Sequence, residues 1–282
     1  MSGRVAIVTG GLSGLGRAMA LALAESGMGV LAVGHIAADA ARLGEETAGS
    51  ELGGRVLPLV ADLRRPGECD RVIDAALTRF GRLHILVNSA GLTFTYIWPD
   101  LYRRAEKPKF WELDDEIVQN VMDTNYVAAD QMARRAAPLL LKEGWGRIIN
   151  VTTKLDTMNR PTSGPYGASK AALEMASEIW AQELAGTGVT VNILNPGAGA
   201  HTPGMAVEAS AASRAGKLPR FVEPDEMVPP LLWLASPAAD TVNGYRFDAL
   251  TWDRSLPPAE AARRIARRAG FELHPLDPKG IP

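Results

Sequence analysis

Short apolar segments alternate with longer mixed segments along most of the chain. The apolar segments are rich in Val, Ile and Leu and predict strands at residues 4–9, 29–34, 55–61, 83–88, 146–152, 188–193 and 243–249. The longer segments are rich in Ala, Leu, Glu and Arg and predict helices at residues 14–26, 38–49, 66–80, 112–142, 165–186 and 224–235. This alternation predicts an α/β fold with a doubly wound, mainly parallel sheet and helices on both faces. The strand runs are almost uniformly apolar, as expected when both faces are covered.

Composition excludes several classes of protein. The chain has 282 residues, of which 46% are hydrophobic and 22% are charged, and its formal net charge is −2. So small a net charge argues against a protein that binds nucleic acid or an anionic membrane through its charge. No apolar run approaches the ~20 residues of a membrane span, no signal-peptide layout opens the chain, and the single Cys69 cannot form an internal disulfide. We therefore expect a cytoplasmic globular protein, and we predict no metal site.

Residues 1–249 are predicted to form one domain, because neither a repeat nor a low-complexity linker divides them. Two segments depart from the alternation: residues 92–111, which are aromatic and basic, and residues 250–282, a C-terminal extension. The extension contains the pattern of a short helix with a solvated, arginine-rich face, namely Pro257, Pro258, Glu260, Arg263, Arg264, Arg267, Arg268 and Gly270.

A glycine-rich loop joins the first predicted strand to the first predicted helix. It reads Thr9-Gly-Gly-Leu-Ser-Gly-Leu-Gly16. Glycines permit a tight turn and let a pyrophosphate approach the backbone, while the free N–H groups and the dipole at the helix start favour phosphate. The loop therefore predicts a nucleotide-binding site, although Gly10, Gly14 and Gly16 depart from the common G-x-G-x-x-G spacing.

The same loop resembles the TGxxxGxG signature of the short-chain dehydrogenase/reductase family. Further motifs of that family follow in order at Asp62-Leu63, Asn88-Ser-Ala-Gly91, Asn125, Tyr166-Gly-Ala-Ser-Lys170 and Asn195-Pro-Gly197. The resemblance spans residues 3–249. It implies a Rossmann-like fold, a homodimer or homotetramer, and a nicotinamide-dependent oxidoreductase acting on a secondary alcohol or carbonyl. The residues that it assigns to the dinucleotide are Gly10, Ser13, Gly14, Leu15, Gly16, Gly34, His35, Asp62, Leu63, Asn88, Ala90, Gly91, Tyr166, Lys170, Pro196, Gly197 and Thr202.

Tyr166 and Lys170 carry the candidate chemistry. They lie four positions apart on a predicted helix, so their side chains share one face. An unperturbed tyrosine pKa of ~10 is too high for efficient proton exchange at neutral pH, but a neighbouring ammonium favours the phenolate and lowers that pKa. We therefore predict that Tyr166 is the general acid/base. The family resemblance implies that Lys170 also holds the nicotinamide ribose hydroxyls.

The resemblance implies two further catalytic residues. Family members usually carry a serine thirteen positions before the tyrosine, where this chain has Thr153. A threonine hydroxyl has the same donor and acceptor capacity, so we expect Thr153 to hold and polarise the substrate oxygen, with Ser163 as a less favoured substitute. Asn125 matches the family asparagine that holds a water between the lysine and solvent. Thr202 matches a threonine that bonds the nicotinamide carboxamide.

The end of the second predicted strand bears on the choice of dinucleotide. NAD-preferring relatives place an acid there, which binds the ribose hydroxyls and repels a phosphate on them. This chain has Gly34 followed by His35. The missing acid, and a histidine able to donate to phosphate, favour NADP. Ser13 favours NAD, because NADP-preferring relatives often carry a basic residue at that position. NADP is the expectation and NAD the alternative.

The segment 92–111 is longer than the family usually has at this place. Long ordered loops in compact domains are usually functional, so we predict either a lid over the pocket or a contact between subunits. Its cations indicate an acidic or phosphorylated substrate. The side chains concerned are Tyr96, Trp98, Tyr102, Phe110 and Trp111 with Arg103, Arg104, Lys107 and Lys109. A second apolar stripe on the tyrosine-bearing helix would suit a subunit contact, at Ala171, Ala172, Met175 and Ile179.

Three functions fit these observations. The first is an active nicotinamide-dependent oxidoreductase. The second is a catalytically impaired dinucleotide-binding sensor or scaffold, and the third is a non-redox enzyme of the same fold, such as a dehydratase. The combination of Asn125, Tyr166 and Lys170 favours the first, because binding alone does not require the tyrosine.

Overall fold

The computed structural model describes residues 3–106 and 108–271. An eight-stranded sheet has the order β3-β2-β1-β4-β5-β6-β7-β8, with every neighbouring pair parallel except β7 and β8. The strands are β1 (Val5–Thr9), β2 (Gly29–Gly34), β3 (Val56–Val60), β4 (Ile85–Asn88), β5 (Gly146–Asn150), β6 (Val189–Asn195), β7 (Tyr245–Asp248) and β8 (Arg267–Arg268). The predicted doubly wound α/β fold is confirmed, and each predicted strand is present.

Helices cover both faces of the sheet. They are α1 (Gly14–Glu25), α2 (Ala37–Ala48), α3 (Glu68–Phe80), α4 (Phe94–Ile97), α5 (Asp115–Met122), α6 (Ala128–Glu143), α7 (Leu155–Asn159), α8 (Tyr166–Glu183), α9 (Val207–Arg214), α10 (Val228–Leu234) and α11 (Pro258–Ile265). Successive residues of β1 alternate between the two cores, with Ala6 and Val8 packed beneath α1 and α10, and Ile7 beneath α3 and α6. The strands are uniformly apolar because both faces are buried.

Three predicted helices differ in the structure. The segment predicted as a helix over 224–235 begins with a 3-10 turn at Pro224–Met227, and α10 follows it. The helix predicted over 112–142 is three consecutive pieces, in which a π-helical segment, Asp123–Val127, separates α5 from α6. The C-terminal helix ends at Ile265, and the arginines expected in its last turn, Arg267 and Arg268, form β8 against β7 instead. The physical reason is the open edge of β7, whose unpaired backbone groups are satisfied by a short antiparallel strand. Residues 272–282 of the extension lie outside the described residues.

The aromatic segment 92–111 forms a small core of its own. It contains α4 and a 3-10 turn at Phe110–Glu112. Its buried members Ile97, Trp98 and Leu101 pack on Val121 of α5. Some of the aromatic side chains of this segment, such as Trp98, are therefore buried in a core and are not exposed on the surface. Lys107 lies outside the described residues. In the described ranges, no helix is long and apolar enough to cross a bilayer.

Candidate active site

A cleft of about 870 Å³ opens at the carboxyl ends of the parallel strands, where β1 lies between β2 and β4. This is the point at which the strand order reverses. Ligands of doubly wound sheets bind at such a point, because the connections that follow the two adjacent strands run in opposite directions and leave a crevice between them. Most of the predicted site residues line this cleft, namely Gly10, Ser13, Gly14, Leu15, Gly16, Gly34, His35, Asp62, Leu63, Ala90, Gly91, Thr153, Tyr166, Lys170, Pro196, Gly197 and Thr202. Asn88 and Asn125 do not line it.

The glycine loop leaves space that side chains would fill. Gly10 has a φ of +66°, and a Cβ there would lie 2.9 Å from the Ala90 backbone. A Cβ on Gly16 would overlap the carbonyl oxygen of Gly10. Helix α1 begins at Gly14 on the cleft wall, so the free N–H groups of its first turn are available to a pyrophosphate. The residues present therefore fit the phosphates of a dinucleotide.

Asn88 faces the interior rather than the cleft. Its side-chain amide donates to Asn150 Oδ1 at 2.9 Å and to the Ala129 carbonyl at 3.3 Å. These bonds connect β4 with β5 and with α6. The amide nitrogen of Asn88 is therefore used within the protein, whereas its Oδ1 has no hydrogen-bond partner among the described residues; its contact with the dinucleotide stays a prediction.

Asn125 lies in the π-helical segment and is fully buried. Its Oδ1 accepts a hydrogen bond from the Leu92 N–H at 2.7 Å, and its Nδ2 donates to the Leu92 carbonyl at 3.1 Å and to Ser169 Oγ at 3.0 Å. The side chain thus joins the start of segment 92–111 to α8. Both amide protons are used within the protein, so the side chain holds the wall of the site, and the role of Asn125 in holding a water stays a prediction.

Tyr166, Thr153 and Lys170 lie on one wall of the cleft. Tyr166 begins α8, Lys170 follows one turn later, and Thr153 comes shortly after β5. The Lys170 ammonium donates to the Val151 carbonyl at 2.8 Å, which holds α8 against the end of β5. Burial lowers the pKa of Lys170 to about 8, because desolvation disfavours its charged form.

Burial is the largest influence on the pKa of the Tyr166 phenol. Burial raises the pKa of its phenol above the ordinary tyrosine value, and the Thr153 hydroxyl and the charge of Arg160 oppose this. Lys170 directs its ammonium at the Val151 carbonyl. In the protein by itself, desolvation of the phenolate outweighs the effects of Thr153 and Arg160 on the Tyr166 pKa, and the lowering expected from Lys170 stays a prediction.

The Thr153 hydroxyl both lines the cleft and hydrogen-bonds the Tyr166 phenol. The Thr152 hydroxyl donates to Glu174 Oε2 at 2.9 Å and is therefore occupied. Ser163 is buried, and its hydroxyl has no hydrogen-bond partner in the described part of the chain. It does not line the cleft, whereas Thr153 does. The geometry favours Thr153 over Ser163.

A buried ion pair that the sequence analysis does not predict lies behind this wall. Glu174 of α8 is 0% exposed and Arg246 of β7 is 2% exposed. Arg246 donates to Glu174 Oε1 at 2.8 Å and to the Thr153 carbonyl at 3.0 Å. It also lies 3.4 Å from Asp248, which accepts a hydrogen bond from Asn195 at 2.7 Å. An arginine between the aromatic residues Tyr245 and Phe247 of a predicted strand was the available signal, since buried charges are almost always paired.

The adenosine end of the cleft contains acids that are already paired. Asp39 lines it and is bound by Arg42, and Asp62 is bound by Arg64 at 2.9 Å. A Cβ on Gly34 would lie 2.9 Å from the Leu12 side chain. The position at which an acid would meet the ribose hydroxyls is therefore closely packed, and the adjacent His35 is exposed.

Fold and site together define a dinucleotide-dependent oxidoreductase. Residues 4–212 match the family model described as short chain dehydrogenase. The chain belongs to this family, as the motifs indicate. It transfers a hydride between a nicotinamide dinucleotide and an alcohol or carbonyl substrate.

Similar proteins extend over almost the whole chain. A short-chain type dehydrogenase/reductase of Picea abies is 35% identical over 252 residues, which cover 86% of this chain and 89% of that protein. An NADPH-dependent aldehyde reductase-like chloroplastic protein of Arabidopsis thaliana is 35% identical over 265 residues, covering 86% and 92%. The crystal structure of a 3-ketoacyl-(acyl-carrier-protein) reductase from Brucella melitensis, complexed with NADH, has a TM-score of 0.73 at 28% identity, covering 88% and 96%.

Proposed function

We propose that Tyr166 is the general acid/base of this oxidoreductase, that Thr153 orients the substrate oxygen and that Lys170 binds the nicotinamide ribose. The observation that carries this proposal is the grouping of the three side chains on one wall of a cleft that also contains Pro196 and Gly197. When bound, the nicotinamide supplies or accepts the hydride. Asn125 supports the site from behind through its bonds to Leu92 and Ser169.

The proton moves at Tyr166 Oη. In carbonyl reduction the phenol donates its proton to the substrate oxygen as that oxygen gains negative charge, and in alcohol oxidation the phenolate removes the proton from the hydroxyl. Burial favours the neutral phenol. The phenolate that alcohol oxidation requires therefore needs additional positive charge close to its oxygen.

The test is Tyr166→Phe, which removes only the phenolic hydroxyl. We expect turnover of carbonyl substrates to fall by at least about 100-fold, with the dissociation constant of the dinucleotide, measured by fluorescence titration, changed less than about twofold. Tyr245→Phe in β7 is the matched control, because Tyr245 does not line the cleft. Undiminished turnover in Tyr166→Phe would contradict the proposed role.

We propose NADP as the preferred dinucleotide, with NAD as the alternative. Gly34 and His35 present no carboxylate to a ribose phosphate, and Asp39 and Asp62 are held by arginines. The catalytic efficiencies with NADPH and NADH test this directly. A ratio of at least about 10 in favour of NADPH corresponds to about 1.4 kcal/mol and supports the proposal. A preference for NADH contradicts it.

We propose that segment 92–111 acts as a wall and lid of the pocket. Thr93 and Thr95 both donate to the Gly204 carbonyl at 2.7 Å, so the segment contacts the opposite side of the cleft within one chain. The alternative is a subunit contact, which suits Phe110 and Trp111 because they are 77% and 69% exposed. Replacing both aromatics with serine should raise the substrate KM if the segment is a lid. A changed oligomeric state with unchanged kinetics would support the contact.

We propose a cytoplasmic homo-oligomer, a homodimer or homotetramer. The exposed face of α8 supports association, since Ile179 is 48% exposed beside the partly exposed Met175. The buried, unpaired Cys69 suits a reducing compartment. Light scattering of the protein and of an Ile179→Glu variant tests the assembly. Equal masses for the two proteins would argue against a contact at this face.

A further inference from the structure

A second cavity of about 600 Å³ adjoins the active-site cleft and shares Phe94, Tyr102 and Arg160 with it. The rest of its wall is largely aromatic and apolar, with one further cation: Trp98, Leu101, Pro108, Lys109, Phe110, Trp111, Pro161, Thr162 and Gly164. Two cations, Arg160 and Lys109, and no acidic side chain of the described residues face this cavity. It is an apolar pocket with a positive charge at its boundary with the cleft.

The second cavity begins one aromatic ring away from the proposed catalytic tyrosine. The Phe94 ring centroid lies 4.8 Å from that of Tyr166. The guanidinium carbon of Arg160 lies 5.8 Å from the Phe94 centroid, and the Arg160 charge acts to lower the pKa of the Tyr166 phenol. A substrate whose reacting oxygen meets Tyr166 can therefore extend past Phe94 to Arg160.

Arg160 differs from the other arginines of the cleft because no carboxylate holds it. Arg220 is bound by Glu226 at 2.7 Å, and Arg64 is bound by Asp62 at 2.9 Å. Asp156, which also lines the cleft, is paired with Lys154 at 2.8 Å. Within residues 3–106 and 108–271, the Arg160 guanidinium has no ion pair and no hydrogen bond. Its charge contributes to the lowered pKa of Asp156, but its N–H groups are available to a ligand.

The loop that bears Arg160 has a strained backbone. Thr162 has a φ of +67°, which is rare for a residue branched at Cβ. Strain of this kind persists where the surrounding structure enforces it, and it is concentrated at ligand sites. Because Thr162 also lines the second cavity, the strained turn belongs to the same wall as Arg160.

We propose that the substrate is a carbonyl compound, or the corresponding alcohol, with an aromatic or apolar body and a carboxylate or phosphate group, and that Arg160 binds this anion. The inference rests on the proposed function of the adjoining site. A guanidinium binds carboxylate and phosphate through two parallel hydrogen bonds. The aromatic wall supplies flat apolar contact for the body of the substrate.

The structure adds a cation from outside segment 92–111 to the positive charge inferred from the sequence. Of the cations in segment 92–111, Arg104 is bound by Asp100 at 2.8 Å, and Lys107 lies outside the described residues. Neither Arg103 nor Arg104 lines either cavity, whereas Lys109 lines the second one. The cation shared by both cavities is Arg160, which lies outside that segment.

The experiment measures binding rather than turnover, so that it does not depend on the chemistry. The probes are benzoylpropionate, its methyl ester and benzoylpropyl phosphate, titrated calorimetrically into the protein saturated with NADP. We expect the acid or the phosphate to bind at least about tenfold more tightly than the ester. That preference should disappear in Arg160→Met and survive in part in Arg160→Lys. Affinity for the ester should be the same in all three proteins, which shows that the pocket is intact.

Arg104→Met is the matched control, since Arg104 is a paired arginine outside both cavities, and it should keep the full preference. The relative affinity of the acid and the phosphate identifies which anion is used. Equal binding of acid, phosphate and ester, a preference that survives Arg160→Met, or binding of none of the probes would overturn the proposal. Turnover of the ester despite such a result would leave the oxidoreductase assignment standing and remove only the anionic substrate.

Discussion

Arg246 offers the sharpest test of how the active-site wall is held. Replacing it with methionine keeps most of the side-chain volume but removes the charge. Glu174 would then be fully buried with only the Thr152 hydroxyl and a backbone N–H of Gly270 as partners. The Thr153 carbonyl would lose its donor at the same time.

Two independent routes give the magnitude of this change. Removing one partner of a buried ion pair costs about 3–5 kcal/mol. Alternatively, Glu174 can escape its unpaired charge by taking a proton, which at pH 7 costs about 4 kcal/mol for a glutamate whose ordinary pKa is ~4.3. Proton uptake sets an upper limit, so we expect Arg246→Met to lose about 3–4 kcal/mol of unfolding free energy. A domain of ordinary stability, about 5–15 kcal/mol, remains folded after this loss.

The pH dependence identifies the cause. Burial already raises the pKa of Glu174, and the charge and hydrogen bond of Arg246 oppose that rise. In Arg246→Met the pKa rises further, so the folded protein keeps a proton that the unfolded chain releases above ~4.3. Stability then falls as pH rises, by about 1.4 kcal/mol for each unit. Between pH 7 and 5.5 the variant should regain about 2 kcal/mol relative to the wild type.

Urea unfolding at both pH values measures these differences. Arg264→Met is the control, because Arg264 and Glu260 form an exposed pair in α11 at 2.8 Å that is worth less than about 0.5 kcal/mol. The double variant Glu174→Leu with Arg246→Met should recover most of the loss, since it removes both buried charges. A loss below about 1 kcal/mol, or a loss that does not change with pH, would refute the reasoning.

Three further predictions concern the site. Thr153→Ser should keep turnover within about threefold, whereas Thr153→Ala should lower it at least about tenfold by removing the hydroxyl; equal rates would argue against this role. Lys170→Met should lose at least about 100-fold in turnover yet melt higher at pH 7, because a buried ammonium with a pKa of about 8 costs up to about 3 kcal/mol. That gain should vanish above pH ~10.4, where the lysine is neutral in both states, and a lower Tm at pH 7 would contradict it. His35→Asp should reduce efficiency with NADPH at least about tenfold and spare NADH, through repulsion of the ribose phosphate; equal losses with both would contradict it.

Local signals were sufficient for the framework of the protein. Continuous apolar runs identify the strands, because strands that are buried on both faces carry apolar side chains on both sides. The glycine loop identifies the start of the helix that faces the cleft. The shared position of Tyr166 and Lys170 is also predictable from a local signal, because residues four apart on a helix lie on the same face.

Contacts between residues far apart in the sequence could not be predicted from it. Arg246 and Glu174 are 72 positions apart, and nothing local shows that β7 passes behind α8. Arg267 and Arg268 continue a helical pattern, but the open edge of β7 offers them backbone partners. Asn88 and Asn125 carry the residue types of the family, but only the packed structure shows that their side chains bind the protein itself.

The contacts that hold Tyr166 and Lys170 in place extend along several turns of helix α8. Helix α8 meets the segment that follows β5 at three successive turns: Tyr166 beside Thr153, Lys170 on the Val151 carbonyl and Glu174 on the Thr152 hydroxyl. The turn after these continues the contact, where Asn150 donates to Ser177 at 2.8 Å. Each contact satisfies a buried polar group that would otherwise be costly. The orientation of Thr153 therefore depends on a whole helix face, which gives the buried acid Glu174 and its partner Arg246 a structural role in the active-site wall.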